Sequence, residues 1–109
     1  MAGVVHVPWY ATGFRGDKLE AALADVASVA LRYGATSFQV FRFRDDRYKF
    51  LQTAEFASKE QFESYWYSPE FTEFRTLASS WYQVPVLYGW TDLVASGSRE
   101  PESVGDASG

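Results

Sequence analysis

Cysteine is absent from the 109 residues, which excludes both a disulfide-stapled module and a structural thiolate zinc site. Histidine occurs once, as His6. A metal set built on several imidazoles is therefore impossible, Asp and Glu are dispersed along the chain, and no metal and no cofactor is expected. Ten Lys and Arg stand against fourteen Asp and Glu, a net charge of −4, and the basic residues are scattered in sequence. Nucleic acids and anionic membranes are recognised by clustered cations, so neither is expected as a partner. No apolar run approaches the roughly 18 residues that cross a bilayer, and the first residues lack the basic and apolar regions of a secretory leader. A cytoplasmic location is the expectation.

What is present is a 47% hydrophobic chain of a length that forms one domain. Such a domain buries roughly 60–70% of the surface of its unfolded chain, enough for a core without a metal. Nine Phe, seven Tyr and four Trp exceed what a core of this size hides comfortably. The surplus is expected to line a cavity or an interface.

Val-rich Gly3 to Trp9 reads as a strand, with Pro8 near its end, and a loop follows to Gly16. That loop lacks the spacing and the Lys of a phosphate-binding loop. Asp17 stands three residues before Glu20 in a capping-box pattern, and Leu19, Ala22, Leu23, Val26, Ala27 and Ala30 recur at helical spacing up to the Gly34 stop. Ala35–Arg44 and Arg47–Phe56 read as strands joined tightly at Asp45 and Asp46. Ser58 with Gln61 opens a helix carrying Phe62, Tyr65 and Trp66, and Ser68 with Pro69 restarts it along Phe71, Phe74 and Ala78. Gln83–Leu93 is the last predicted strand, and from residue 95 onward a Ser, Gly and acid-rich tail is expected to be disordered.

The order β-α-β-β-α-β predicts an α+β, ferredoxin-like domain over residues 1–94, an antiparallel sheet with two helices on one face. Several strands are nevertheless apolar on both faces. Phe38 and Val40 alternate with Phe41 and Phe43, and Val84, Val86, Tyr88 and Trp90 alternate with Leu87 and Leu93. A sheet with one wet face shows polar residues at alternate positions. Something is expected to cover the second face: a second copy of the sheet in a homodimer, or an apolar ligand between the two.

The run Thr53-Ala-Glu-Phe56, then Ser58-Lys-Glu-Gln-Phe62, Tyr65 and Ser68-Pro-Glu-Phe71, resembles the dimeric α/β-barrel superfamily and, within it, antibiotic-biosynthesis-monooxygenase-like domains. The likeness in element order spans about residues 3–94. It implies a dimeric barrel and a small apolar or aromatic ligand. The superfamily ranges from cofactor-free monooxygenases through heme-degrading enzymes and lactone isomerases to stress-induced proteins, so the resemblance implies a fold and no single activity. Heme-degrading relatives use an Asn-Trp-His set with the His on the second helix. This chain has no Asn, and His6 lies on the first strand.

His6 alternates with Val5 and Val7, which turns it to the face opposite theirs. As the sole imidazole it is the candidate general base, and a structural histidine at an interface is the plainer alternative. Arg42, on the same strand face as Phe38 and Val40, is a candidate to balance an anionic ligand or an enolate, whereas Arg44 abuts the Asp pair at a solvated strand end. Trp66 and Tyr67 beside the helix break, and Tyr88 and Trp90 in the last strand, combine a stacking face with a polar tip suited to a cavity wall. The competing role for these four is packing beneath a helix or at a dimer interface. Two function classes thus remain open: a cofactor-free monooxygenase or isomerase acting on an activated phenol or enol, and a non-enzymatic binding or structural dimer.

Overall fold

The computed structural model describes residues 2–101. Strand β1 (Gly3–Tyr10) leads to α1 (Gly16–Ser28), which tightens into a 3-10 turn over Val29–Tyr33. Strands β2 (Ser37–Arg42) and β3 (Lys49–Phe56), helices α2 (Lys59–Trp66) and α3 (Pro69–Leu77) and strand β4 (Gly89–Thr91) complete the fold. The sheet runs β2-β3-β1-β4 with every neighbouring pair antiparallel. Strands β1 and β2 are therefore parallel and flank β3, the split-βαβ arrangement.

Local chemistry accounts for most boundaries. Ser58 caps α2 by accepting the Gln61 amide at 3.2 Å, and the Gln61 side chain accepts the Ala57 amide at 3.1 Å. Ser68 caps α3 by accepting the Phe71 amide at 3.1 Å, with Pro69 following where no N–H is needed. Gly34 ends the 3-10 turn at φ 102°, a left-handed conformation that favours glycine. The capping pattern at Asp17 is not used as a cap. Helix α1 starts at Gly16, with Arg15 at the N-cap and no side-chain cap, and Asp17 and Glu20 both turn to Arg42.

Three strands, β2, β3 and β4, are shorter than their sequences predict. The β2–β3 connection spans residues 43–48, because the Asp46 side chain accepts the Tyr48 amide at 3.2 Å and its carbonyl accepts the Lys49 amide at 3.0 Å. That local aspartate turn replaces a two-residue hairpin. The last strand pairs only where Gly89, Trp90 and Thr91 meet His6, Val5 and Val4, and a single bridge joins Tyr82 to Ala11. Between these points residues 83–88 face residues 7–10, six against four, so the longer segment bows out. Pro8 and Pro85 bring no N–H to a ladder there. Val84 and Leu87 are consequently exposed, while Val86 and Tyr88 pack on the core.

The core lies between the sheet and the helices. Val5, Val7 and Trp9 of β1 share this face with Phe50, Gln52, Ala54 and Phe56 of β3, and α1 adds Leu19, Leu23 and Val26. The aromatic surplus is largely absorbed here: Trp9, Phe50, Phe56, Phe62, Tyr65 and Phe71 are each 1% exposed or less. Full burial of one such side chain stabilises by roughly 1.5–3 kcal/mol. Some rings meet edge to face, as in Trp9–Tyr82 at 4.9 Å and Tyr65–Phe71 at 5.0 Å, and others stack, as in Phe74–Tyr82 at 6.1 Å. One polar chain crosses this layer. Trp9 Nε1 donates to Gln52 Oε1 at 3.1 Å, Gln52 Nε2 donates to the Tyr65 hydroxyl at 2.9 Å, and that hydroxyl donates to the Val26 carbonyl at 2.6 Å. Among the described residues no buried side-chain polar atom is left without a partner.

Glycine is required at Gly3. A Cβ there would stand 2.5 Å from the Trp90 ring, which lies against the start of β1. Beyond Thr91 the described chain has no regular structure, and residues 102–109 of the predicted tail lie outside the described residues. No helix among the described residues is long and apolar enough to cross a membrane.

Candidate functional site

Among the described residues no helix covers the opposite face of the sheet, and the pairing register arranges it in rows. Gln39, Thr53, His6 and Gly89 are aligned across β2, β3, β1 and β4. On one side of this polar row stand Phe41, Leu51 and Pro8. On the other stand Ser37, Glu55, Val4 and Thr91. Residues 92–95 follow β4, and with Thr91 and parts of these rows they line an open trough of about 700 Å³. Its polar floor is His6, Thr53 and Gln39, and its apolar walls are Val4, Phe41, Leu51, Leu93 and Val94. Phe41 is 47% exposed, Leu93 67% and Val94 93%. An apolar margin around a few convergent polar groups is the ordinary make-up of a small-molecule site.

His6 takes this position because Val5 and Val7 are drawn into the core and alternation leaves it on the other side. Thr53 is 9% exposed and sits between His6 and Gln39, so one ligand edge could meet an imidazole, a hydroxyl and an amide in line. Thr53 and Gln39 escape a reading of the sequence, where isolated polar residues in strands resemble a solvated face. The register that aligns them with His6 is the signal that singles them out.

The other predicted site residues lie elsewhere. Arg42 is across from Phe50 and therefore on the helix face. Its guanidinium lies 5.1 Å from the Phe50 ring and donates to Asp17 Oδ1 and Glu20 Oε1, both at 2.8 Å, and to the Arg47 carbonyl at 2.7 Å. The hydrogen bond and charge of Arg42 hold the Asp17 carboxyl below its ordinary range. Trp66 is buried between Phe71 at 4.8 Å and Tyr88 at 5.3 Å, with Arg75 over its ring at 4.7 Å. Tyr88 and Trp90 both pack on Phe62, at 4.7 and 6.3 Å. Tyr67, at the C-cap of α2, is 71% exposed. Thus His6 occupies the open face alone, and Trp66, Tyr88 and Trp90 belong to the aromatic layer behind the sheet. Among the described residues no group of three or more His, Asp and Glu is placed to hold a metal ion.

No family model and no curated protein matches the chain by sequence. Solved structures do match by shape. A candidate antibiotic biosynthesis monooxygenase from Nitrosomonas europaea superposes with a TM-score of 0.77 at 14% identity, over 88% of this chain and 94% of that one. SnoaB, a cofactor-independent oxygenase from Streptomyces nogalater, gives a TM-score of 0.74 at 16% identity, over 87% and 95% of the two chains. A protein from Chloroflexus aurantiacus, also described as a candidate antibiotic biosynthesis monooxygenase, gives 0.73 at 18% identity, over 90% and 98%. With its four-stranded antiparallel sheet and helices on one face, the chain has the ferredoxin-like α+β fold of the antibiotic biosynthesis monooxygenase domains.

Proposed function

We propose that two copies of this chain close their open sheet faces on each other and hold a small planar, mostly apolar molecule against the row of His6, Thr53 and Gln39. The observation that carries this reading is the trough itself: about 700 Å³ on a face that no helix of the described chain covers, with His6, Thr53 and Gln39 on its floor, and with Phe41, Leu51, Leu93 and Val94 beside Thr91 and Asp92 at its margin. Phe41, Leu93 and Val94 stand open to water beside the trough, apolar side chains that a covering partner would bury. Charge order on β3 also favours a second copy as the cover. The strand presents Lys49, Leu51, Thr53 and Glu55 in succession to this face. A two-fold axis lying across the strands reverses their direction and sets Lys49 of each copy near Glu55 of the other.

The test is sedimentation equilibrium combined with native mass spectrometry of the purified protein. A dimer at micromolar concentration is expected, with a low-mass companion that denaturation releases. Phe41→Asp should give a monomer with an unchanged far-ultraviolet spectrum. A wild-type chain that stays monomeric at that concentration would sink the reading.

Within this site a base-assisted reaction is the second reading, supported by the position of His6 on the trough floor and by the likeness in fold to SnoaB, a cofactor-independent oxygenase. His6 would accept the proton of a phenol or enol, and the resulting anion would be met by the Thr53 hydroxyl and the Gln39 amide. Arg42 has no part in this version, since its guanidinium is held by Asp17 and Glu20 on the far side of the sheet. If His6→Ala leaves turnover of a cognate phenol unchanged, the base is not His6. Binding without turnover in the wild type would leave a binding dimer.

A further inference from the structure

Helices α1 and α3 lie side by side on the outside of the molecule, and the groove between them is independent of the trough. On α1 and the 3-10 turn that continues it the residues facing it are Ala22, Asp25, Val26 and Val29; on α3 they are Glu70, Glu73, Phe74 and Leu77. Both sets follow the spacing i, i+3, i+4, i+7, one stripe per helix. Val26 and Phe74, 5% and 6% exposed, make the floor, and Leu77, 67% exposed, is an apolar wall left open to water. The groove holds about 300 Å³, at the lower end of the range for small-molecule sites.

The charged residues that line the groove, Asp25, Glu70 and Glu73, are all acids. Glu70 is already engaged: the Tyr33 hydroxyl donates to its Oε1 at 2.7 Å, and Arg32 stands 3.5 Å from its Oε2. Asp25 and Glu73, one on each helix, have no Lys or Arg within 4.0 Å among the described residues. An apolar slot with a free carboxylate on both banks disfavours anions by repulsion. It favours a ligand that can bury a hydrocarbon body while its cationic head stays at the water surface between the two acids.

We propose that this groove binds a small amphiphilic amine, an alkyl- or arylalkylammonium ion, with the hydrocarbon on Val26 and Phe74 and the ammonium between Asp25 and Glu73. The inference does not depend on the trough or on dimerisation.

The experiment titrates the full chain with hexylammonium, and in parallel with hexanol and hexanoate, following backbone amide shifts by NMR. Saturable shifts centred on Val26, Val29 and Phe74 are expected, with affinity in the order amine, alcohol, carboxylate and a loss on raising the salt concentration. Asp25→Asn combined with Glu73→Gln should weaken hexylammonium about fivefold while leaving hexanol unaffected. Both positions are exposed, so this variant is expected to keep its fold, and a circular dichroism melt confirms that. Three outcomes would overturn the proposal: hexanol or hexanoate binding as tightly as the amine, shifts spread over the acidic surface outside the groove, or a double variant with undiminished amine affinity.

Discussion

The two faces of this sheet are built from the same strands and solve opposite problems. Behind it, Trp9, Phe50, Phe56 and Gln52 meet three helices, and the space is filled by interlocking rings and one closed chain of hydrogen bonds. In front, His6, Thr53 and Gln39 lie in a row with apolar neighbours, the segment after β4 at their margin and no helix of the described chain above them. The difference shows that a high aromatic content marks stability here more than recognition. The surface proposed to receive a ligand is the one poorer in large rings.

The sharpest way to break this comparison is a pair of adjacent substitutions. Phe50 and Leu51 are sequence neighbours on opposite faces. Phe50→Ala opens a void in a closed layer and should cost about 3–5 kcal/mol in urea unfolding. Leu51→Ala, measured at low protein concentration, should cost less than about 1 kcal/mol and act instead on self-association. Equal losses at the two positions would mean that the front face is as closed as the back.

A smaller effect is expected inside the polar chain. Tyr65→Phe removes the group that Gln52 Nε2 and the Val26 carbonyl both use. Leaving those buried groups unpaired should cost about 1–3 kcal/mol, read from the urea midpoint. The same hydroxyl predicts a pH effect with a definite sign. Burial pushes the Tyr65 phenol well above its ordinary value of 10.0. Its folded-state contribution is therefore complete below that value and is lost as the pH rises beyond it. Urea unfolding between neutral pH and strongly alkaline solution should show a falling stability, and the fall should be shallower in Tyr65→Phe.

The smallest expected effect is at the rim. Asp17 is held below its ordinary value of 3.8 by the hydrogen bond and charge of Arg42. Its contribution is present above that ordinary value and fades as the pH falls through the lowered one. Arg42→Met should remove this part of the acid dependence, seen as a flatter stability profile below the ordinary carboxylate range. Because Asp17 is exposed to solvent, the change should be slight and sensitive to salt.

How far the sequence carries depends on whether a feature is local. Ser58, Ser68 and Pro69 announce helix starts through bonds to residues three positions away, and the element order follows from such signals. The last strand did not conform, because its pairing depends on two prolines that are far apart in sequence and on a bow of unequal lengths opposite β1. The site is split for a similar reason. Alternation within β2 places Arg42 with Phe38 and Val40, but only pairing with β3 reveals that this face looks toward the helices. Likewise, Asp17 and Glu20 carry the spacing of a capping box, and what they accept from is a guanidinium more than twenty residues away, Arg42. His6 was legible, since its neighbours Val5 and Val7 are strongly apolar and decide its side. Its companions Thr53 and Gln39 were not.

Gly3 ties the two faces together. The missing side chain lets the Trp90 ring lie flat against β1 on the helix side, and Trp90 belongs to the three-residue strand whose other face borders the trough. A single methyl group added at Gly3 would push that ring outward and lift the edge strand with it. The position of the edge strand beside the open face is thus gauged from behind, by an atom that is not there.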